Sequence, residues 1–193
     1  MKVTVYGSTN STLYLPKEIE ACKKLGTWLA ENNIEILTGA CRGMPYYVGR
    51  AAVLAGGKVT GFTPAKNLKE HVEVYNFPFD GFTDLAFNRT RYFTQAENFL
   101  HRSWDMTPFS EVVVAIGGSW GTYSEIIFSF FAKKTIILVE GYGGAVKAFK
   151  QTHDFFGARE VNPAVHDGAK LIWVKDIGEA IKVLKKYKEK DKK

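Results

Sequence analysis

Short apolar runs alternate with amphipathic stretches along the chain. The runs at 2–8 (KVTVYGS), 34–40 (IEILTGA), 58–64 (KVTGFTP), 111–118 (EVVVAIGG), 135–141 (TIILVEG) and 170–176 (KLIWVKD) predict six strands. Between them, apolar residues recur at helical spacing over 15–33, 44–57, 90–106, 121–134, 145–156 and 177–190, which predicts six helices. Pro16 suits a first helical turn, Gly56-Gly57 a helix end, and Thr107-Pro108 a stop. The second, fourth and fifth strands show little polar alternation, as expected of parallel strands covered on both faces. Repeated strand–helix units imply an α/β fold. The expectation is one domain over 1–181, a doubly wound, mostly parallel, Rossmann-like sheet with helices on both faces. Residues 65–88 break the pattern; "HVEVYNFPFDGFTD" predicts a short strand with loops, and such a long irregular piece is often functional.

Charge changes this picture little. The net charge is +6, but the lysine-rich helix end and tail at 182–193 holds seven lysines against Glu189 and Asp191. Outside that tail the chain is close to neutral, and its four tryptophans do not interleave with a basic stripe, so nucleic acid is not expected as a partner. No apolar run reaches the length of a membrane span, and the start "MKVTVYGS" lacks a signal-peptide pattern, so a cytoplasmic protein is expected. Cys22 and Cys41 have no paired spacing and read as free thiols; Cys41, in a glycine-rich loop, could border a ligand. His71, His101, His153 and His166 lack metal-ligand spacing, so no metal is expected.

In a doubly wound sheet, ligands sit beyond the carboxyl ends of the strands. Three of those ends are rich in glycine and small polar residues: "YGSTNST", "TGACRGMP" and "IGGSWGTYSE". Glycine permits tight turns and close backbone approach, and a following helix offers unpaired amides. Such loops also serve plain packing, but three at one sheet edge favour an anion site. The candidates for ligand contact are Gly7, Ser8, Thr38, Gly39, Ala40 and Gly43. Those for phosphate are Gly118, Ser119, Gly121 and Thr122, the last through its hydroxyl and its amide.

Two charged residues stand near these loops. Glu125 would repel a phosphate unless it faces another part of the ligand. The alternative is stabilisation of the helix N-terminus, worth about 0.3–1 kcal/mol. Arg102, on a mostly apolar helix, either snorkels to solvent or aims its cation at the cleft.

The segment from Gly117 to Glu125 resembles the signature of the Lonely Guy (LOG) family, within the wider SLOG group of Rossmann-like nucleotide-binding proteins. The pattern P-G-G-x-G-T-x-x-E falls on it without a gap: Gly118, Gly121, Thr122 and Glu125 match, while Gly117 replaces the proline and Ser119 the second glycine. An R-K pair of the preceding helix falls on Arg102, with Ser103 in place of the lysine. The stretch "TGACRGMPYYVGRAAVLAGGKVTGFTP" is similar to the family's second glycine loop, helix and strand, in a less characterised branch.

That resemblance implies cleavage of the N-glycosidic bond of a nucleoside 5′-monophosphate, with Arg102 and Glu125 as catalytic residues. It also implies a homodimer or higher homo-oligomer. Some relatives resemble molybdenum-cofactor carriers, so a binding protein for a nucleotide or pterin is the alternative. Relatives are also labelled lysine decarboxylases. Pyridoxal chemistry needs a buried Schiff-base lysine, and none stands in the glycine-rich edges, so no cofactor is expected.

Overall fold

The computed structural model describes residues 1–88, 94–157 and 169–190. Seven parallel strands form one sheet in the order β4-β3-β2-β1-β5-β6-β7. They are β1 (Lys2–Gly7), β2 (Glu35–Thr38), β3 (Val59–Thr63), β4 (Asp84–Phe87), β5 (Val112–Ile116), β6 (Thr135–Val139) and β7 (Lys170–Val174). The helices among the described residues are α1 (Pro16–Glu31), α2 (Met44–Leu54), α3 (Leu68–Glu73), α4 (Gln95–Met106), α5 (Trp120–Phe131), α6 (Gly144–Gly157) and α7 (Ile177–Lys190). The fold is α/β and Rossmann-like, as the alternation of runs predicts, and every described strand pairing is parallel.

The uninterrupted apolar strands owe their sequence to burial on both faces. Along β5 every residue is buried, and successive side chains enter opposite layers. Val112, Val114 and Ile116 pack with Leu25, Val48 and Leu184 of α1, α2 and α7. Val113 and Ala115 pack with Met106, Ile126 and Phe149 of α4, α5 and α6.

Two expectations need correction. The described residues hold a seventh strand, Asp84–Phe87, which starts at the very end of the segment 71–84 expected to form a short strand with loops. His71 to Glu73 instead close the short helix α3, whose N-cap Asn67 accepts from the Glu70 amide. The third sequence-predicted helix begins at Gln95, where Thr94 and Glu97 form a reciprocal capping box that fixes the start. The portion expected over residues 90–93 lies outside the described residues, as do His166 and the end of the lysine-rich tail.

The strand order reverses between β1 and β5, and their ends meet there. Gly7 pairs with Ile116, and the Ser8 amide donates to the Ile116 carbonyl. A crevice at such a switch point is where this class of sheet binds ligands.

Candidate active site

The loop after β5 is built by backbone that only glycine adopts readily. Gly117 and Gly118 have φ of 59° and 91°, and a Cβ on Gly118 would run into the Thr122 side chain. Ser119 then caps α5 without a side-chain bond to its first-turn amides, so those donors face outward uncapped. The Gly118 carbonyl accepts from the Ala145 amide at 2.8 Å and its amide meets Tyr14 Oη at 3.4 Å, which fixes the turn from both sides.

Beside this turn lies a cavity of about 380 Å³ at the switch point. Six sequence-predicted residues line it: Gly7, Arg102, Ser119, Gly121, Thr122 and Glu125. The other six do not, and they support it from behind. Ser8 Oγ bonds within its own loop, to Asn10. Thr38 Oγ1 accepts from the Ala40 amide, which holds Ala40 at a positive φ of 51°. A Cβ on Gly43 would strike the backbone of Ser8 and Thr9, so two loops pack backbone to backbone there. Gly118 shapes the turn, and Gly39 makes room for Arg102.

Arg102 does not snorkel. It is 7% exposed, its Nη1 donates to the Gly39 carbonyl, and a Cβ on Gly39 would collide with its guanidinium. Its Nη2 lies 3.3 Å from Glu125 Oε1 and 3.1 Å from Ser103 Oγ. The guanidinium carbon sits 5.6 Å from the Phe99 ring centroid. Nε is buried with no hydrogen-bond partner among the described residues. An orphaned buried donor is costly, and an anionic or carbonyl group entering the cavity would offset that cost.

Glu125 is 6% exposed and belongs to the second turn of α5, too far in for end-of-helix stabilisation to account for it. It faces Arg102, and the Ser103 hydroxyl stands 3.0 Å from the same Oε1. Burial pushes the Glu125 carboxyl above its ordinary value, while Arg102 and then Ser103 pull it back. Tyr6, buried beneath, has its phenol pushed up to about 12, chiefly by burial and then by Glu125. A carboxyl held in this way can take up or release a proton nearer neutrality than a solvated one.

Thr122 departs from expectation in part. Its hydroxyl is buried and donates to the Gly7 carbonyl at 3.1 Å, so only its amide is left for an anion. Cys41 does border the cavity, but burial pushes its thiol up, against an opposing pull from Arg102, so it stays a thiol.

Sequence reasoning singles out none of the aromatic wall. Phe77 and Phe99 line the cavity opposite the glycine turn, their centroids 6.2 Å apart and tilted edge to face, with Tyr75 against both. His71, fully buried between Thr63 Oγ1 and the Pro78 carbonyl, packs on Phe77 and holds this segment. The available signal was the density of aromatic residues in the irregular piece at 65–88. Among the described residues no cluster of three or more histidine, cysteine or acidic side chains is arranged for a metal ion. No described helix is long and apolar enough to cross a membrane.

Comparison with known proteins places this site in a context. The structure of TM1055 superposes with a TM-score of 0.75 at 22% identity, covering 96% of this chain and 98% of that one. A molybdenum cofactor binding protein from the phototrophic bacterium Rippkaea orientalis gives 0.70 at 18%, with 96% of each chain covered. DNA processing protein A from Helicobacter pylori, described by its single-stranded DNA binding mode, gives 0.66 at 14%, covering 96% of this chain and 80% of that one. These likenesses are likenesses of fold. No curated protein sequence matches the chain. The family model of the SLOG cluster4 family matches residues 1–181, and the chain therefore belongs to that family.

Proposed function

We propose that the chain is a nucleoside 5′-monophosphate phosphoribohydrolase, which cleaves the N-glycosidic bond to give free base and ribose 5-phosphate. The observation that carries this reading is Glu125, a buried carboxyl in the wall of a cavity that also holds the uncapped N-terminus of the same helix. Burying a carboxyl costs free energy, and beside a phosphate subsite it also repels the ligand. A site that only holds an anion gains nothing from it. A site that develops positive charge on a sugar does.

The amides of Gly121 and Thr122 would hold the 5′-phosphate. Glu125 follows Thr122 by three residues, about 4.5 Å along the helix axis, which sets it beside the ribose rather than the phosphate. Cleavage passes through an oxocarbenium-like state, which the carboxylate stabilises. The C–N bonding pair leaves with the base. Water adds to the anomeric carbon and gives up a proton to the carboxylate, and the departing base nitrogen takes up a proton. Arg102 holds Glu125 in place and offers its orphaned Nε to the ligand. Phe77 and Phe99 supply a flat apolar wall for the base.

The substrate is a small molecule in this reading, since the cavity is about 380 Å³ and most of the net charge lies in the C-terminal tail. A homodimer belongs to the same reading. Leu100, in the cavity wall, and Trp104 and Phe131 are exposed on α4 and α5, and Trp104 meets Phe128 edge to face at 5.4 Å.

One observation favours a second reading, a carrier for a nucleotide or pterin. Ser103 stands where the family's lysine would, and both Arg102 and Ser103 engage Glu125 Oε1. A relative of the same fold binds the molybdenum cofactor. The test is turnover of nucleoside 5′-monophosphates beside calorimetric binding of the same compounds. Binding with release of ribose 5-phosphate supports the hydrolase; binding without release supports the carrier.

A further inference from the structure

A second cavity, of about 350 Å³, lies on the other side of the glycine turn, between α5 and α6. Ser119 stands in the wall of both cavities. The second one has an aromatic side, Trp120 and Tyr123, and a floor of small residues, Gly144, Ala145 and Ala148. Two of its polar side chains are paired with each other or with backbone: Tyr123 Oη donates to Thr152 Oγ1 at 2.8 Å, and Thr152 Oγ1 donates to the Ala148 carbonyl at 3.0 Å. Away from Ser119, at the glycine turn, it offers mainly flat apolar surface.

Trp120 is the unusual element. It opens α5, it is 85% exposed, and its ring stands 6.5 Å from that of Tyr123 at 71°. A tryptophan left in water beside an apolar slot forgoes the burial that would stabilise it. The slot is kept open by backbone that tolerates no bulk. Gly144 has φ of 57°, and a Cβ there would collide with the Gly118 carbonyl.

The uncapped end of α5 thus has a cavity on each side. One is lined by Arg102, Glu125 and the Phe77–Phe99 wall, the other by Trp120 and Tyr123. A phosphate monoester carries one organic substituent and would leave the second cavity empty. A phosphodiester, or a pyrophosphate substituted at both ends, carries two. We propose that the slot between α5 and α6 is a subsite for a second planar heteroaromatic ring, joined through the phosphate end of the ligand and stacked on Trp120. This rests on the reading of the α5 N-terminus as the phosphate subsite, and it makes dinucleotide-like small molecules a ligand class of the site.

The experiment measures calorimetric affinities for AMP, ADP and diadenosine diphosphate. ADP controls for the second phosphate group, and only the last carries a second ring. The protein is tested as the full chain and as Trp120→Ala and Ala148→Leu, the latter an exposed position where a larger side chain fills the slot. Stacking of one base on an aromatic side chain predicts about tenfold tighter binding of diadenosine diphosphate than of ADP. Both variants are expected to abolish that advantage while AMP affinity stays as in the parent. Equal affinity for ADP and diadenosine diphosphate overturns the subsite and leaves the nucleotide site standing. So does an advantage that survives both substitutions. No binding by any of the three compounds overturns the nucleotide site, and the subsite with it.

Discussion

Arg102 Nη2 stands 3.3 Å from Glu125 Oε1, and both side chains are 8% exposed. The two groups come from different helices, 23 positions apart in sequence, and meet only because Gly39 leaves room for the guanidinium. With so little water near either group, each depends on the other. Removing one partner of a buried pair typically costs about 3–5 kcal/mol, because the remaining charge is left uncompensated.

Arg102→Met is therefore expected to lower stability in urea denaturation, and to do so more at about pH 8 than at about pH 5. At the lower pH Glu125 can hold a proton and its burial costs less. Adding Glu125→Gln to Arg102→Met should restore part of the loss, which a double-mutant cycle would read as coupling between the two sites. Additive losses would show that the pair is not coupled.

The shifted carboxyl also sets a sign for pH dependence. The ordinary value is 4.5, and burial raises it in the folded state despite Arg102. The folded protein thus holds a proton that the unfolded chain has already released. That contribution to stability is complete below the unfolded value and is lost as pH rises through the folded value. The stability of the parent relative to Glu125→Gln should fall with pH across this window and level off above it. In turnover, kcat/KM should rise with pH as Glu125 ionises, on a limb displaced upward from the usual carboxylate range. Arg102→Met removes the opposing pull and should move that limb to still higher pH.

Gly39→Ala tests the placement of Arg102 without altering either charge. Gly39 has no positive φ, and the atoms nearest to a Cβ there are those of the guanidinium. The variant is expected to fold, to displace Arg102, and to lose turnover. Unchanged turnover with a folded protein would remove Arg102 from its assigned position.

Phe77→Ala should weaken binding of nucleoside monophosphates by about 1–3 kcal/mol if the base stacks on the Phe77–Phe99 wall. Phe79→Ala is the matched control, since Phe79 is exposed and does not line the cavity. Calorimetry on the two variants separates stacking from a general loss of apolar surface.

The layering of the fold is legible in the sequence because burial on both faces writes continuous apolar runs, as along β5. Strand β4 is not, because an edge strand that is half-exposed, Asp84–Phe87, carries no such run. Helix α3 left a fainter sign: Asn67 followed by Glu70 is a start signal with only six residues behind it. The glycine turn before α5 is legible because its backbone demands glycine. The state of Arg102 is not, since snorkelling and burial differ by a carbonyl in the loop after β2, Gly39, that spacing within α4 does not reveal. Thr122 illustrates the same limit: its hydroxyl is consumed by Gly7, 115 positions away.

The central claim is that Glu125 carries hydrolysis at a nucleotide site. The most direct measurement is chromatographic release of free base and ribose 5-phosphate from AMP, GMP, CMP, UMP, IMP and a prenylated AMP, by the parent and by Glu125→Gln. The expected result is release from at least one substrate. In the variant that release should fall by about 10²-fold or more while calorimetric affinity is kept. Full activity in Glu125→Gln, or no release from a compound that the parent binds, would contradict it.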